Sequence, residues 1–499
     1  MRFPSLPVLA FSFSLAVSGG PATAEEAVPN APAVRPITLE EAVRRALEDN
    51  LALTTENFNR ATAREAVIVA DAEYDPALSL SAVKRVSDEA SPSSTVAASF
   101  SDSERLSLSV SQPVATGATV TLTGNNQRLE RDRIAFFNPQ YDSDVAVRVV
   151  QPLLSGGGIT ANRANRRRAR IGVDRSEIEF ETRALDVIQL TELAFFDLAF
   201  ARRQLEVQRS GLASAEQFLE ENEARQRAGL ATELDVMQAR VGVATRRSQI
   251  LTAEQNLENA IDALLALLGL TQFEARLNPQ GVVFGAPEPV SFAESFQRAL
   301  EQDPEIRNAE LLLKQFMLDA QLAKNERLPR ADLGGTLGYI GRNDEFYGAV
   351  DRLKSLDSYN WQVDLTVSVP WGLREGRALY RTAKLTVEQQ QAFIRELEQD
   401  ILVRVRSAVR AVETTAESVE IAALSTELSA REYQLEKAKF DAGLSTSRLV
   451  VEAQQREEEA RVQETQTRIE LKQNEARLRR IEGSAFERYG IDLVPENIE

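Results

Sequence analysis

Two periodicities divide the chain. Four stretches, roughly 160 to 228, 233 to 268, 377 to 442 and 447 to 482, are rich in Ala, Gln, Glu and Arg with modest apolar content. That pattern suits helices that each bury a narrow seam and leave another face in water. Elsewhere the period falls to two. Leu106, Leu108 and Val110 alternate with Ser107, Ser109 and Ser111, while Trp361, Val363, Leu365, Val367 and Val369 alternate with Gln362, Asp364, Thr366 and Ser368. These read as strands with one apolar and one polar face. A helix of about 65 residues, rising about 1.5 Å per residue, extends on the order of 100 Å, which no compact single-chain globule accommodates.

The same plan occurs twice. TLEEAVRRALEDN at 38 to 50 aligns with SFAESFQRALEQD at 291 to 303, and the same shift pairs Pro76 with Pro329. Further on, Pro152 pairs with Pro370 and Gly158 with Gly376; later still, Gly229 pairs with Gly443, Leu230 with Leu444, Thr232 with Thr446 and Gly269 with Gly483. Matched glycines and prolines are helix breakers, so the agreement is not a by-product of helical composition. Each copy runs helix, strands, long helix, Ala-Gly-Leu turn, long helix. Thr38 with Glu41 three residues on forms a capping box at the first helix, and the prolines at 76 and 329 end the opening helices. The repeats cover 37 to 283 and 284 to 483, leaving a C-terminal tail at 484 to 499.

Four strands belong to the shared plan, at about 77 to 86, 142 to 151, 332 to 341 and 359 to 369. An insertion in the first copy adds a further hairpin, with strands near 104 to 112 and 117 to 127; periodicity alone leaves open whether it widens the sheet or forms a flap. Tyr141, Tyr339, Tyr359, Trp361 and Trp371 lie near segment ends, where a membrane-interface girdle would sit. A membrane barrel needs at least about eight strands, so the shared four require several chains to close one.

Composition narrows the chemistry. The 499 residues include no cysteine and no histidine, which excludes disulfides, thiol catalysis, His-ligated zinc and Ser-His nucleophiles. No catalytic constellation or cofactor motif stands out: Gly156-Gly157-Gly158 lacks the Lys-Ser of a phosphate loop. A formal charge of −17 repels nucleic acid, which makes the arginine cluster Arg163, Arg166, Arg167, Arg168 and Arg170 a partner for headgroups or neighbouring acids instead. Residues 1 to 24 read as a secretory signal, with Arg2, an apolar stretch from about Val8 to Val17, and Ala22-Thr23-Ala24 as the cleavage site. A disordered segment is expected at 25 to 36. Beyond the signal, no run approaches the roughly 20 apolar residues of a membrane-spanning helix.

LEEAVRRALEDN, the QPLLSGG turn, and the paired hairpin signatures RAGLATELDVMQAR at 227 to 240 and DAGLSTSRLVVEAQ at 441 to 454 together resemble the TolC family of outer-membrane efflux proteins, from about Ile37 to Gly483. The resemblance implies a mixed α and β membrane protein. It implies a homotrimer with a transmembrane β-barrel shared between subunits and a long periplasmic α-helical barrel, closed at its inner end by an iris of helix hairpins. It further implies a passive, cofactor-free exit duct in outer-membrane lipid, meeting a periplasmic adaptor and an inner-membrane pump, proton-driven or ATP-driven. The alternative is a periplasmic or surface coiled-coil scaffold with no pore.

The resemblance also implies roles for particular residues. Asp235, with Arg448 and Glu452, falls in the iris network; Leu449 stands where an acidic residue would double the constriction ring. Ala228, Gly229, Leu230, Ala442, Gly443 and Leu444 form the tips that would receive the adaptor.

Overall fold

The computed structural model describes residues 34–88, 100–131, 137–270, 276–281 and 289–491. The signal-like segment lies outside them. β1 (Val34–Ile37) precedes two helices, α1 (Leu39–Asp49) and α2 (Leu51–Asp71), which lead to four strands: β2 (Ala77–Asp88), β3 (Phe100–Pro113), β4 (Thr119–Arg131) and β5 (Gln140–Pro152). The short α3 (Ile159–Asn162) opens the long helices α4 (Ala164–Arg227) and α5 (Glu233–Leu267), followed by β6 (Arg276–Pro279). The second copy comprises α6 (Phe292–Gln302), α7 (Pro304–Glu326), β7 (Arg330–Asn343), α8 (Phe346–Lys354), β8 (Tyr359–Ser368), α9 (Arg374–Asp441) and α10 (Ser447–Glu482). A last short helix, α11 (Ala485–Tyr489), lies in the C-terminal tail.

The opening helix of each copy is two helices, not one. The breaks fall at equivalent residues, Asn50 and Asp303, which take extended backbone angles and cap the next helix: Asn50 Oδ1 accepts from the Ala52 N–H at 2.9 Å and Asp303 Oδ1 from the Glu305 N–H at 2.7 Å. A short side-chain acceptor that satisfies the new helix's free N–H outcompetes continuation of the old one, and Pro304 at the first position reinforces the second break. Asn50 Nδ2 also donates to the Leu267 carbonyl at 2.8 Å, tying this break to the end of α5.

Residues 34–36, expected to be disordered, form a strand with Ile37, while 25–33 lie outside the described residues. β1 pairs in parallel with β6, and the pair buries Ile37 and Leu277 against the first core. Four residues paired only to four others, 242 positions away (Val34 with Arg276), leave no periodic signal in the sequence.

Each copy builds a comparable core where its opening helix meets its long hairpin. Phe195, Leu264, Leu265 and Leu268 anchor the first; Ile401, Val405, Val412 and Leu478 anchor the second. Further along, α2 and α7 lie beside α4, and an arginine ladder fixes them: Arg166 with Asp71 at 2.6 Å, Arg168 with Asp319 at 2.7 Å, Arg307 with Glu181 at 2.6 Å and buried Arg60 with Glu177 at 2.5 Å. Two members of the basic cluster therefore meet neighbouring acids.

All six long strands form one antiparallel sheet in the order β2-β3-β4-β5-β7-β8. The inserted hairpin is part of the sheet, between the first-copy strands β2 and β5. β2 and β8 are its edges. α8 crosses the far end of β5 and β7, where a side chain at Gly341 would collide with the Ala349 carbonyl at 2.0 Å.

Candidate functional site

Two regions carry the chemistry, one at each end of the long helices. At one end the sheet separates polarity by face. A single row of paired residues runs Leu78, Val110, Leu122, Val147, Leu337, Trp361 across all six strands. Rows on either side add Leu80 and Leu108, then Val149 and Val363. These side chains meet solvent in the single chain, Leu80 at 69% and Trp361 at 70% exposure. A soluble monomer seldom leaves so continuous an apolar surface uncovered. The adjoining register turns polar side chains to the other face, as in the row Ser111, Thr121, Arg148, Thr336, Gln362. Arg148 there lies 3.6 Å from Asp364.

The sheet's helix-facing end is pinned. Thr116 Oγ1 donates to Gln151 Oε1 at 2.9 Å, Gln151 Nε2 donates back to the Thr116 carbonyl at 3.1 Å, and the Gly158 N–H donates to that carbonyl at 3.0 Å. Gly117 has φ +91°, and a Cβ there would lie 2.5 Å from the Gly156 carbonyl oxygen, so the β3–β4 turn is pressed onto the β5-to-helix turn as only glycine allows. The triple glycine is thus the strand-to-helix turn read from the sequence.

About 96 Å away, taking 1.5 Å per residue of α4, the two Ala-Gly-Leu turns lie together. Gly229 (φ +75°) and Gly443 (φ +77°) end α4 and α9 in the left-handed conformation, and the Leu230 and Leu444 N–H groups reach back to the carbonyls of Arg225 and Lys439, both at 2.8 Å. Leu230 and Leu444 are exposed at 78% and 80%. Among the described residues nothing lies within 4 Å of a Cβ built on either glycine, so both tips are open there.

Asp235 spends its carboxylate inside its own turn. Oδ2 accepts from the Thr232 hydroxyl at 2.6 Å and the Thr232 N–H at 2.9 Å, while the Asp235 N–H donates to Thr232 Oγ1 at 3.3 Å: a complete capping box. The Thr232 hydroxyl, then the Thr232 N–H, hold the Asp235 carboxyl below its ordinary range, and Ser447 of the other hairpin adds to this. Arg448 Nη1 stands 3.5 Å from Glu452 Oε1 one turn along α10, so the two opposite charges share one face of the helix.

The two hairpins are fastened by residues that sequence reasoning did not single out. Arg225 lies with its guanidinium 4.4 Å from the centre of the Phe440 ring and donates to the Phe440 and Asp441 carbonyls at 3.4 and 3.3 Å, capping the end of α9. Phe440 in turn packs on Phe218 at 5.4 Å. Ser447 Oγ donates to Asn222 Oδ1 at 2.8 Å between fully buried residues. One step higher, Arg246 donates to Glu458 through both Nε and Nη2, at 3.2 and 3.1 Å, in a pair with 5% and 13% side-chain exposure. Burial raises the Glu458 carboxyl above its ordinary range, against the pull of Arg246. A basic residue in a helix's last turn was the one available signal for Arg225; its target, across the fold, was not.

Similarity to known proteins follows the same division. A family model described as "Outer membrane efflux protein" matches residues 118–270 and 296–484, one stretch in each copy. The pyoverdine export outer membrane protein OpmQ of Pseudomonas aeruginosa is 28% identical over 162 residues, 32% of this chain and 34% of that protein; its Pseudomonas putida counterpart is 26% identical over 190 residues, 36% and 38%. The matched region thus spans little more than a third of these curated relatives. Among solved structures, the Campylobacter jejuni CmeC outer membrane channel aligns with a TM-score of 0.67 at 20% identity, covering 90% of this chain and 86% of that one. The outer membrane protein VceC of Vibrio cholerae aligns with a TM-score of 0.67 at 15% identity, covering 89% and 96%.

Proposed function

Because the chain belongs to the outer membrane efflux protein family, we propose that three copies assemble into a passive exit duct. Their sheets close a barrel in the outer membrane, and their long helices continue it as a tube through the periplasm. One observation carries this reading: a sheet whose edge strands have no outer partner among the described residues and which has one continuous apolar face, joined to helices on the order of 100 Å long. Open sheet edges do not survive in lipid, so the edges pair with those of neighbouring copies, and acyl chains cover the apolar face. A pore-free coiled-coil scaffold has no use for that face.

The duct performs no bond chemistry; its work is to hold a water-filled path and to open on demand. The paired hairpins form the closure, with Asp235, Arg448 and Glu452 on the iris, and Ala228, Gly229, Leu230, Ala442, Gly443 and Leu444 receive a periplasmic adaptor. An inner-membrane pump supplies the energy, and small molecules or polypeptides leave. The shared region with pyoverdine export proteins is consistent with small-molecule cargo.

Detergent extraction from outer-membrane fractions as a heat-resistant trimer that conducts ions in planar bilayers is the expected result. Release by osmotic shock as a water-soluble monomer would overturn the proposal.

A further inference from the structure

We infer that the inserted hairpin enlarges the membrane pore by half, so that the barrel has eighteen strands where the shared plan of the two repeats would make twelve. The inference rests on the trimeric duct proposed above and adds its bore.

Three features place β3 and β4 in the wall. The first is register. β3 pairs with β2 from Ala77–Ser111 to Asp88–Phe100 and with β4 from Ser101–Arg131 to Pro113–Thr119, and β4 pairs with β5 over eleven positions. No hydrogen bonds remain for a direct β2–β5 contact. The second is polarity: Leu106, Leu108, Val110, Val120 and Leu122 continue the apolar band of β2 and β5 without a gap, as lipid contact demands and a lumenal flap would not. The third is anchorage, since the hairpin's turn is clamped to the β5-to-helix turn through Thr116, Gln151 and Gly158.

Parity agrees. Adding a whole hairpin keeps the number of strands per chain even, so β8 of one copy still meets β2 of the next in antiparallel fashion. Three copies of six strands make eighteen, against three of four. With strands about 4.8 Å apart and tilted about 40°, the backbone diameter is about 36 Å for eighteen and about 24 Å for twelve. The new lumenal surface is mainly hydroxyl and amide: Ser107, Ser109, Thr121, Thr123 and Asn125. Toward the far end the same face adds Arg105 and Arg131, so the wider bore is hydroxyl-lined over its middle rows and admits bulky hydrophilic solutes.

The absence of native cysteine makes a disulfide test clean. Ser79 and Ala146 share a row, with Ser109 and Thr123 between them, so three strand spacings, about 14 Å, separate them, beyond disulfide reach. In the full-length channel extracted from outer membranes, the double variant Ser79→Cys/Ala146→Cys should remain reduced under mild oxidant. The control Ser79→Cys/Ser109→Cys, whose native hydroxyls lie 2.8 Å apart, should cross-link. Cryo-electron microscopy of the same trimers in lipid nanodiscs should count eighteen strands. A heat-resistant trimer with twelve strands, or a 79–146 disulfide, overturns the wide bore and leaves the duct standing. A monomer overturns the duct and the bore together.

Discussion

Arg225 offers the sharpest test of how the closure is held. Arg225→Ala removes two hydrogen bonds from a cation to the end of α9 and a stacked contact with Phe440. The bonds are long, at 3.4 and 3.3 Å, and the side chain is half-buried. A value of about 0.5 kcal/mol each, with about 1 kcal/mol for the ring contact, totals about 2 kcal/mol. If opening separates the two hairpins of a chain, that loss shifts the open-to-closed ratio by roughly 30-fold, at about 1.4 kcal/mol per tenfold. Single-channel recording in planar bilayers reads this as a higher open probability. Arg225→Lys keeps the charge but loses the planar fork and most of the stacking, so its effect should fall between wild type and alanine. Wild-type open probability in a correctly assembled Arg225→Ala trimer would refute the argument, because the clasp would then persist in both states or contribute nothing.

Other positions separate wall from closure. Glu458→Ala strands the buried Arg246 guanidinium and should cost about 3–5 kcal/mol, lowering the thermal transition of the trimer, whereas Glu458→Gln still accepts from Arg246 and should lose much less; equal losses would contradict the pairing. Leu122→Arg, on the apolar face, should cost about 2–4 kcal/mol and reduce trimer yield, while Thr123→Arg, one residue on and facing the other way, should assemble normally and shift reversal potentials toward anion preference. Asp235→Ala should raise single-channel conductance. Because hydrogen bonds from Thr232 depress the Asp235 carboxyl, its contribution is complete above an ordinary aspartate pKa and disappears only as pH falls through the lower folded value. The ratio of mutant to wild-type conductance should therefore be the same at pH 7.5 and pH 5.5; convergence at pH 5.5 would show the carboxylate titrating where this cap does not.

The long elements were legible because local chemistry settles them. Helix α10 spans 447 to 482 as read, and α5 and α9 begin and end within three residues of expectation, since Gly229 and Gly443 stop helices by their own backbone freedom. Strand alternation located all six strands of the sheet. The hairpin's role was not legible, because alternation states which face is apolar and not which strand lies alongside; only the register from Ser111 to Ala77 and from Thr119 to Val150 decides it. The breaks at Asn50 and Asp303 lie at the ends of the aligned motifs; helical residues on both sides hide the first, and only Pro304 marks the second. α8 was missed for want of length. The clasp of Arg225 on Phe440 joins positions 215 apart, and no periodicity encodes such a contact.

For the proposed trimer, the repeat marks a surface where a second copy would pack. Within one chain α10 lies along α4: Ser447 meets Asn222, and Gln454 Nε2 reaches the Gly211 carbonyl at 3.3 Å, where a Cβ on Gly211 would strike the Glu458 carboxylate. The counterparts of α4 and α10 are α9 and α5, yet among the described residues these two share no extended contact. The matching positions are polar, and exposed apolar side chains flank them. Leu234 and Val241 stand beside Glu233 and Arg240, the counterparts of Ser447 and Gln454, and Leu424 and Leu435 stand beside Ser425 and Glu436, the counterparts of Gly211 and Asn222. Spacings of three, four and seven along Ile421, Leu424, Leu428 and Leu435 make a seam of coiled-coil type. Each such side chain, now 54–69% exposed, contributes on the order of 1 kcal/mol when covered. In the proposed trimer, the contact that one chain makes once between its own halves would be made again between neighbours, α5 of one against α9 of the next, and repeating it around the axis would close the helical tube with the same operation that would join β8 to β2 in the membrane.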